Sequence, residues 1–245
     1  MSERADIAIK HACKGFDMTY EDAIELLRKA EGLTDAEKAQ RNILIAAVDN
    51  LVDFSVAEEY QMTEELPDIE ELELEEELDD DMLDILLGIC HKYNNIYAWT
   101  ENLDIEYAMI MAEFLSAIKN DTVLTYMTMG DERVRPWHLQ YEGYSAPKSR
   151  FPAWLIPPIE HGCRCFLIED PIHGSLSDIQ NAAVQTPEMP DWFNRTFKES
   201  VALGGRIFSD EHPYFQIDEQ HIDKLSEISN RIKTKYLDDG GNSNS

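Results

Sequence analysis

Four of the histidine and cysteine side chains in this 245-residue chain fall in two short clusters with the chemistry of metal ligands. His138 lies within "GDERVRPWHLQYEGY" (130–144), and His161, Cys163 and Cys165 lie within "PPIEHGCRC" (157–165). Imidazole nitrogen and thiolate sulfur are the donors that tetrahedral zinc takes. Two short ligand groups separated by a long loop is also how small structural sites are built. A structural zinc ion here would pin both ends of a proline-rich loop that has little apolar content of its own. The Cys-x-Cys pair is tighter than the usual Cys-x2-Cys, so a second reading stays open, in which the four are ordinary packed residues.

The same clusters hold Asp131, Arg133, Arg135 and Arg164. Guanidinium forks grip carboxylates and backbone carbonyls, so an ion-pair network that fixes the loop against the following strand is expected. The other reading turns the arginines toward a partner protein or a phosphate. Net charge speaks against nucleic acid. The chain carries −28, with 30 acids against 9 bases in residues 1–120, yet 131–165 holds 4 acids and 5 bases. The clusters form a neutral island rather than the basic face that counterion release requires.

Catalysis has less support. A thiolate–imidazole pair of His138 with either cysteine is conceivable chemistry, but no glycine elbow, helix start or third orienting group marks an activated nucleophile. No phosphate-cradling glycine loop, zincin motif or paired-carboxylate signature occurs. No catalytic residue is assigned. His11, His91, His173, His212 and His221 lack metal-ligand spacing and read as surface or core residues. The four cysteines read as reduced thiols of a cytoplasmic setting. No apolar run is long enough to span a membrane, and the N-terminus lacks an apolar signal core.

The elements that must position the clusters follow from periodicity and caps. The N-terminal region reads as helical. Thr19 with Asp22, and Thr34 with Glu37, are capping-box signals that open "YEDAIELLRKAEG", stopped by Gly32, and "DAEKAQRNILIAAVDNLVDFSVAEEY". Residues 58–84 hold fifteen carboxylates and no base, which reads as a solvated linker or an acidic docking segment. "MLDILLGICHKYNNIYAW" and "DIEYAMIMAEFLSAIKN" read as two amphipathic helices. "TVLTYMT" (122–128) and "CRCFLIED" read as strands, with a long loop of Met129–His161 between them. Asp191–Leu203 reads as a helix ended by Gly204 and Gly205, "DEQHIDKLSEISNRIKTKY" as a last helix, and "LDDGGNSNS" as a disordered tail. The fold class expected is α+β, a helical N-terminal half followed by a small mixed domain with few short strands. The units expected are 1–57, helical; 58–81, an acidic linker; 82–217, the mixed domain; and 218–245, a helix and tail.

Taken together, the two clusters resemble the phage Mu F-like minor head protein family, the phage head morphogenesis domain. Asp131, Arg133, Val134, Arg135, Pro136 and His138 match its pattern, as do Gly143, Pro157, Pro158, Cys163, Arg164 and Cys165. The resemblance covers about residues 85–217. His161 departs from the pattern, since relatives often carry an aromatic there. The resemblance implies a non-enzymatic structural protein of a tailed-phage or prophage head, made in the host cytoplasm and incorporated during procapsid assembly near the portal. Portal or major capsid protein would be its neighbours, with packaged DNA touched at most indirectly and no membrane. Two other classes remain: a toxin or nuclease effector carried with the head domain, and an acidic protein that mimics DNA.

Overall fold

Both capping boxes form. The Thr19 hydroxyl accepts from the Asp22 backbone N–H while the Asp22 carboxylate accepts from the Thr19 N–H, and Thr34 and Glu37 repeat the exchange. These boxes open α2 (Tyr20–Arg28) and α3 (Asp35–Glu65), which follow α1 (Glu3–Gly15). A computed structural model describes residues 3–67, 80–169 and 186–238. The central part of the acidic run, His173 and the "DGGNSNS" end of the tail lie outside the described residues. Next come α4 (Asp80–His91), a π-helical turn (Lys92–Tyr97) and α5 (Ala98–Ala117). Strand β1 (Val123–Met127) is followed by the one-turn α6 (Pro136–Leu139), β2 (Ser145–Pro147) and β3 (Phe166–Glu169). The last helix is α7 (Glu219–Leu237). The architecture is α+β, with helices dominating the N-terminal half and a small antiparallel sheet in the C-terminal half.

Helix α1 shows why the helices pack closely. Its buried residues Ala5, Ala8, Ile9 and Ala12 lie at helical spacing, and the alanines let α3 and α5 approach its backbone. The buried apolar residues form one continuous cluster that runs from Ala5 to Tyr236 and takes in α3, α5, β1 and the irregular C-terminal segment.

Three differences from the sequence reading have identifiable causes. Helix α3 continues past Tyr60 to Glu65 because the carboxylates there are partnered. Glu58 pairs with Arg4 at 2.5 Å, and Glu65 accepts from the Lys92 ammonium at 2.7 and 2.8 Å and from the Tyr93 hydroxyl at 2.6 Å. The two helices expected after the acidic run are one continuous helical stretch from Asp80 to Ala117. The π-turn inside it adds a residue and shifts the apolar phase. Asp191–Leu203 is two 3-10 turns, Arg195–Phe197 and Val201–Leu203. There the Asn194 and Ser200 side chains accept from nearby backbone N–H groups and compete with a helix. Gly204 does end this segment, at φ 79°.

In the sheet, β1 is central, with order β2-β1-β3. Thr125 lies opposite Ser145 on one side and Ile168 on the other, and Tyr126 opposite Leu167. Strand β2 lay unseen inside the long loop because Ser-Ala-Pro is too short to show alternation. Its proline is tolerated because the strand is an edge.

Two buried polar clusters tie the helices to the irregular half. Asn50 on α3 accepts the N–H groups of Ile207 and Phe208 (2.8 and 2.9 Å) and donates to the Phe208 carbonyl (2.8 Å). Arg4 on α1 bridges Glu58 on α3 and Glu101 on α5, each at 2.5 Å. Burial, reinforced by nearby Glu101 and opposed by Arg4, pushes the Glu58 carboxyl up to about 7. Burial, with the neighbouring charges of His161 and Arg4, pushes the His212 imidazole down to about 3.

Asn50→Ala orphans two N–H groups and a carbonyl at a site 2% exposed, so it is expected to cost about 3 kcal/mol or more. Chemical denaturation measures this, and a cost within error of zero would show that water replaces the amide. Glu58 binds its proton more tightly folded than unfolded, so its contribution to stability falls as pH rises from its ordinary 4.5 to about 7. Relative to the native sequence, Glu58→Gln is therefore expected to gain stability across that window, by about 3 kcal/mol at most. Parallel pH-dependent denaturation curves would contradict the assignment.

Candidate metal centre

The two ligand clusters meet because both flank the same end of the β1–β3 pair. Met127, the last residue of β1, lies opposite Phe166, the first of β3, and Cys165 precedes Phe166. On the other side, the chain leaves β1 through a turn at Gly130 (φ 65°) and enters α6. Arg135 is the extended N-cap and Pro136 occupies the first helical position, where its fixed φ suits the helix and its missing N–H costs nothing. That single turn carries His138 inward.

His138, Cys163 and Cys165 are buried, and their ligand atoms all lie within 4.8 Å of one another. His138 Nδ1 is 3.1 Å from the Cys165 sulfur and 3.9 Å from that of Cys163. The two thiols are shifted in opposite directions. Cys163 keeps its proton, its thiol raised by its hydrogen bond to Cys165 and by burial. The Cys165 thiol is lowered, chiefly because it accepts that bond, with help from the Tyr126 hydroxyl, Arg135 and Arg164. The Tyr126 hydroxyl is buried, without a hydrogen-bond partner of good geometry, and lies close enough to the Cys165 sulfur to favour its thiolate. The Tyr107 hydroxyl donates to the Cys165 carbonyl at 2.6 Å and fixes the backbone there.

Behind the imidazole stands a carboxylate. His138 Nε2 is 3.2 Å from Glu160 Oε2, and Glu160 is held in turn by Arg135 Nε at 3.1 Å. Arg135 also donates to the His161 carbonyl at 2.8 Å. A carboxylate on the far nitrogen of a histidine orients the ring and raises the basicity of the nitrogen that faces a metal. The donor set is thus one imidazole and two thiols, with an oriented histidine, and it can hold a metal ion. Three protein donors leave a fourth position for water or another group.

His161 does not join this group. Its Nδ1 faces Asp104 Oδ2 at 2.8 Å, and Asp104 Oδ1 accepts the Gly162 N–H at 2.8 Å. The His161 ring packs edge-on to Phe197, on the side that faces α5 and the C-terminal segment. Of the four expected ligands, three therefore converge and one serves the turn. The expected ion-pair network forms in part. Arg164 grips Asp131 with two bonds of 2.9 and 2.7 Å, and Arg135 grips Glu160 and the His161 carbonyl. The exposed Arg133 side chain makes no ion pair among the described residues, although its backbone N–H donates to Asp131 at 3.1 Å.

Sequence reasoning passed over Glu160, Asp104, Tyr107 and Tyr126. Glu160 stood inside the quoted cluster beside His161, and its acidic type next to a histidine was the available signal. Asp104 lies 57 residues from His161 on a helix, with no local signal at all.

Comparisons with protein-family models, curated proteins and solved structures find no match.

The geometry predicts that the reduced protein binds about one thiophilic divalent ion per chain. His138→Ala or Cys165→Ser should abolish uptake, and His161→Ala should spare it. Equilibrium dialysis with Co²⁺, followed by the thiolate-to-metal absorption band, separates the cases. Uptake that persists in Cys165→Ser would place the ion elsewhere.

Proposed function

We propose that this chain is a non-enzymatic structural protein of a tailed-phage or prophage head, a minor component incorporated near the portal during procapsid assembly. The observation that carries the reading is what the family-pattern residues do. Asp131 and Arg164 hold each other, Arg135 holds the 160–161 turn, and His138 meets Cys163 and Cys165. Gly143 takes a positive φ of 80° and donates to the Tyr126 carbonyl, and Pro157–Pro158 lies in the same joint. Nearly every matched position therefore builds one closure between the two ends of a loop. A pattern that encodes such a closure fits a scaffold better than a reaction centre, where matched polar groups would converge on an open cleft.

In this reading the ion is structural zinc. Two cysteines and a histidine suit it, and it would cross-link α6 to the entry of β3. When bound, it would also displace the proton that Cys163 keeps. Portal or major capsid protein is the partner that fits the charge. Residues 1–120 carry a net −21, which packaged DNA repels and a basic protein surface attracts. No helix among the described residues is long and apolar enough to cross a membrane.

The test is the composition of particles. Induction of the host that carries the gene, purification of heads on a density gradient and mass spectrometry should find the protein in filled heads and in procapsids. Its metal content, measured on the same purified chain, should be zinc. Particles that assemble at normal yield without the protein inside them would overturn the reading.

A further inference from the structure

Helix α4 is apolar and buries none of its residues. Leu83, Ile85 and Leu87 are exposed along it, and the exposed apolar series continues through Ile96 in the π-turn to Trp99 and Leu103 on α5. Leu87 is 58% exposed, Ile96 56% and Trp99 71%. From Leu83 to Leu103 the series covers roughly 30 Å of helix at the usual rise per residue. Large apolar side chains set singly on a surface need no explanation, but Leu83 with Leu87 and Ile96 with Trp99 and Leu103 recur at the spacing of one helical face, and such exposed stripes mark an interaction site.

Charge says what covers it. The surface acids of this stretch are Asp80, Asp81 and Asp84 on α4 and Glu106 on α5, against one lysine, while Glu101 and Asp104 are buried and matched by Arg4 and the 161–162 turn. That lysine, Lys92, is already held by Glu65 and lies over the rings of Tyr93 and Tyr97. Beside Ile96 opens a cleft of about 610 Å³, whose walls include Tyr93, Tyr97, Tyr214, His161 and His212 together with the paired Glu65 and Lys92. An anionic membrane and a nucleic acid are repelled by such a flank. A second copy of the chain, paired row to row, would oppose two sets of acids, and like charges placed face to face cost affinity. A helix with one apolar face and lysines or arginines along its edges satisfies both the row and the flank.

We infer that the exposed face of α4, the π-turn and the start of α5 is a docking surface for a basic amphipathic helix of another protein. The inference deepens the head-protein reading, on which it rests only for the identity of the protein that supplies the helix. The surface itself is read by a probe that owes nothing to that reading.

The probe is a fluorescein-labelled peptide of about 18 residues, roughly 27 Å as a helix, with leucines on one face and lysines on the other. Anisotropy titration against the full chain should show saturable binding that weakens as salt rises. Trp99→Ala and Leu103→Glu should each weaken it at least about tenfold, since a few central anchors carry most of such an interface. A scrambled peptide of equal composition should bind at least about tenfold more weakly, because it has the charge without the face. Both substitutions replace exposed side chains, so thermal melts should coincide with the native chain. Trp99→Ala alone suffices if Leu103→Glu does not fold. Equal binding by the native chain and Trp99→Ala overturns the inference, as does equal binding of the scrambled peptide or of a leucine–glutamate helix. A concentration-dependent dimer in sedimentation that Leu103→Glu dissociates also overturns it, in favour of a second copy. Peptide binding as expected, with the protein absent from particles, would sink the head reading and leave the surface standing.

Discussion

Asp104 sits in the middle of α5 with 1% of its surface exposed, and a carboxylate in that position must be matched by donors or it destabilises the fold. Its partners come from the turn at 161–162, where the His161 ring and the Gly162 N–H each approach to 2.8 Å. Gly162 has φ 67°, a conformation that a side chain would strain. The turn is thereby anchored to the helical half from beneath, and the geometry above it follows. With His161 directed down to Asp104, the preceding Glu160 reaches Arg135 and His138, and the following Cys163 and Cys165 reach His138 from the strand side. One buried carboxylate thus selects which of the neighbouring polar side chains face the ligand group and which face the core.

Asn50 does for the C-terminal segment what Asp104 does for the turn. The stretch around Ile207 and Phe208 is not a strand, and its backbone groups cannot be satisfied by a ladder. The Asn50 amide supplies two acceptor contacts and a donor from α3, while Phe54, one turn further on, stacks against Phe208 at 4.3 Å. A polar match and an aromatic contact on the same helical face explain how a segment with so little regular structure becomes part of the continuous core.

The sequence was informative where a local rule acts alone. Thr19 and Thr34 announce their helices because a capping box needs only four consecutive residues. The strands around Leu124 and Leu167 show because β-branched and aromatic side chains cluster there. The ligand trio was visible because histidine and cysteine are rare and their chemistry narrow. What escaped was set at long range. The extension of α3 depends on Arg4 and Lys92, 54 and 27 residues from the carboxylates they match. The exclusion of His161 depends on Asp104. A π-turn that keeps α4 and α5 in one helical stretch leaves no composition signal, since "KYNNIY" reads equally as a break.

The chain is a polyanion because 49 acids outnumber 21 bases, and the same long-range pairings decide where those bases are used. Many of its cations are turned inward. Arg4 lies between Glu58 and Glu101, and Arg28 and Arg41 donate to the carbonyls of Lys235 and Leu27. Lys148 donates to the carbonyls of Leu115 and Ile118 at the end of α5, where a cation also meets the negative pole of the helix. Arg135 and Arg164 close the loop, and Lys233 holds Asp49 and Asp53. Each of these bases is engaged by a carboxylate or a backbone carbonyl of its own chain. The acids outnumber them, and apart from the buried Glu101 and Asp104 many face solvent, as Asp80, Asp81 and Asp84 do on α4. The neutral island around His138 and the acidic face of α4 are therefore two products of one arrangement, in which the bases and a few matched acids such as Asp104 and Glu101 hold the fold together and the surplus acids face outward.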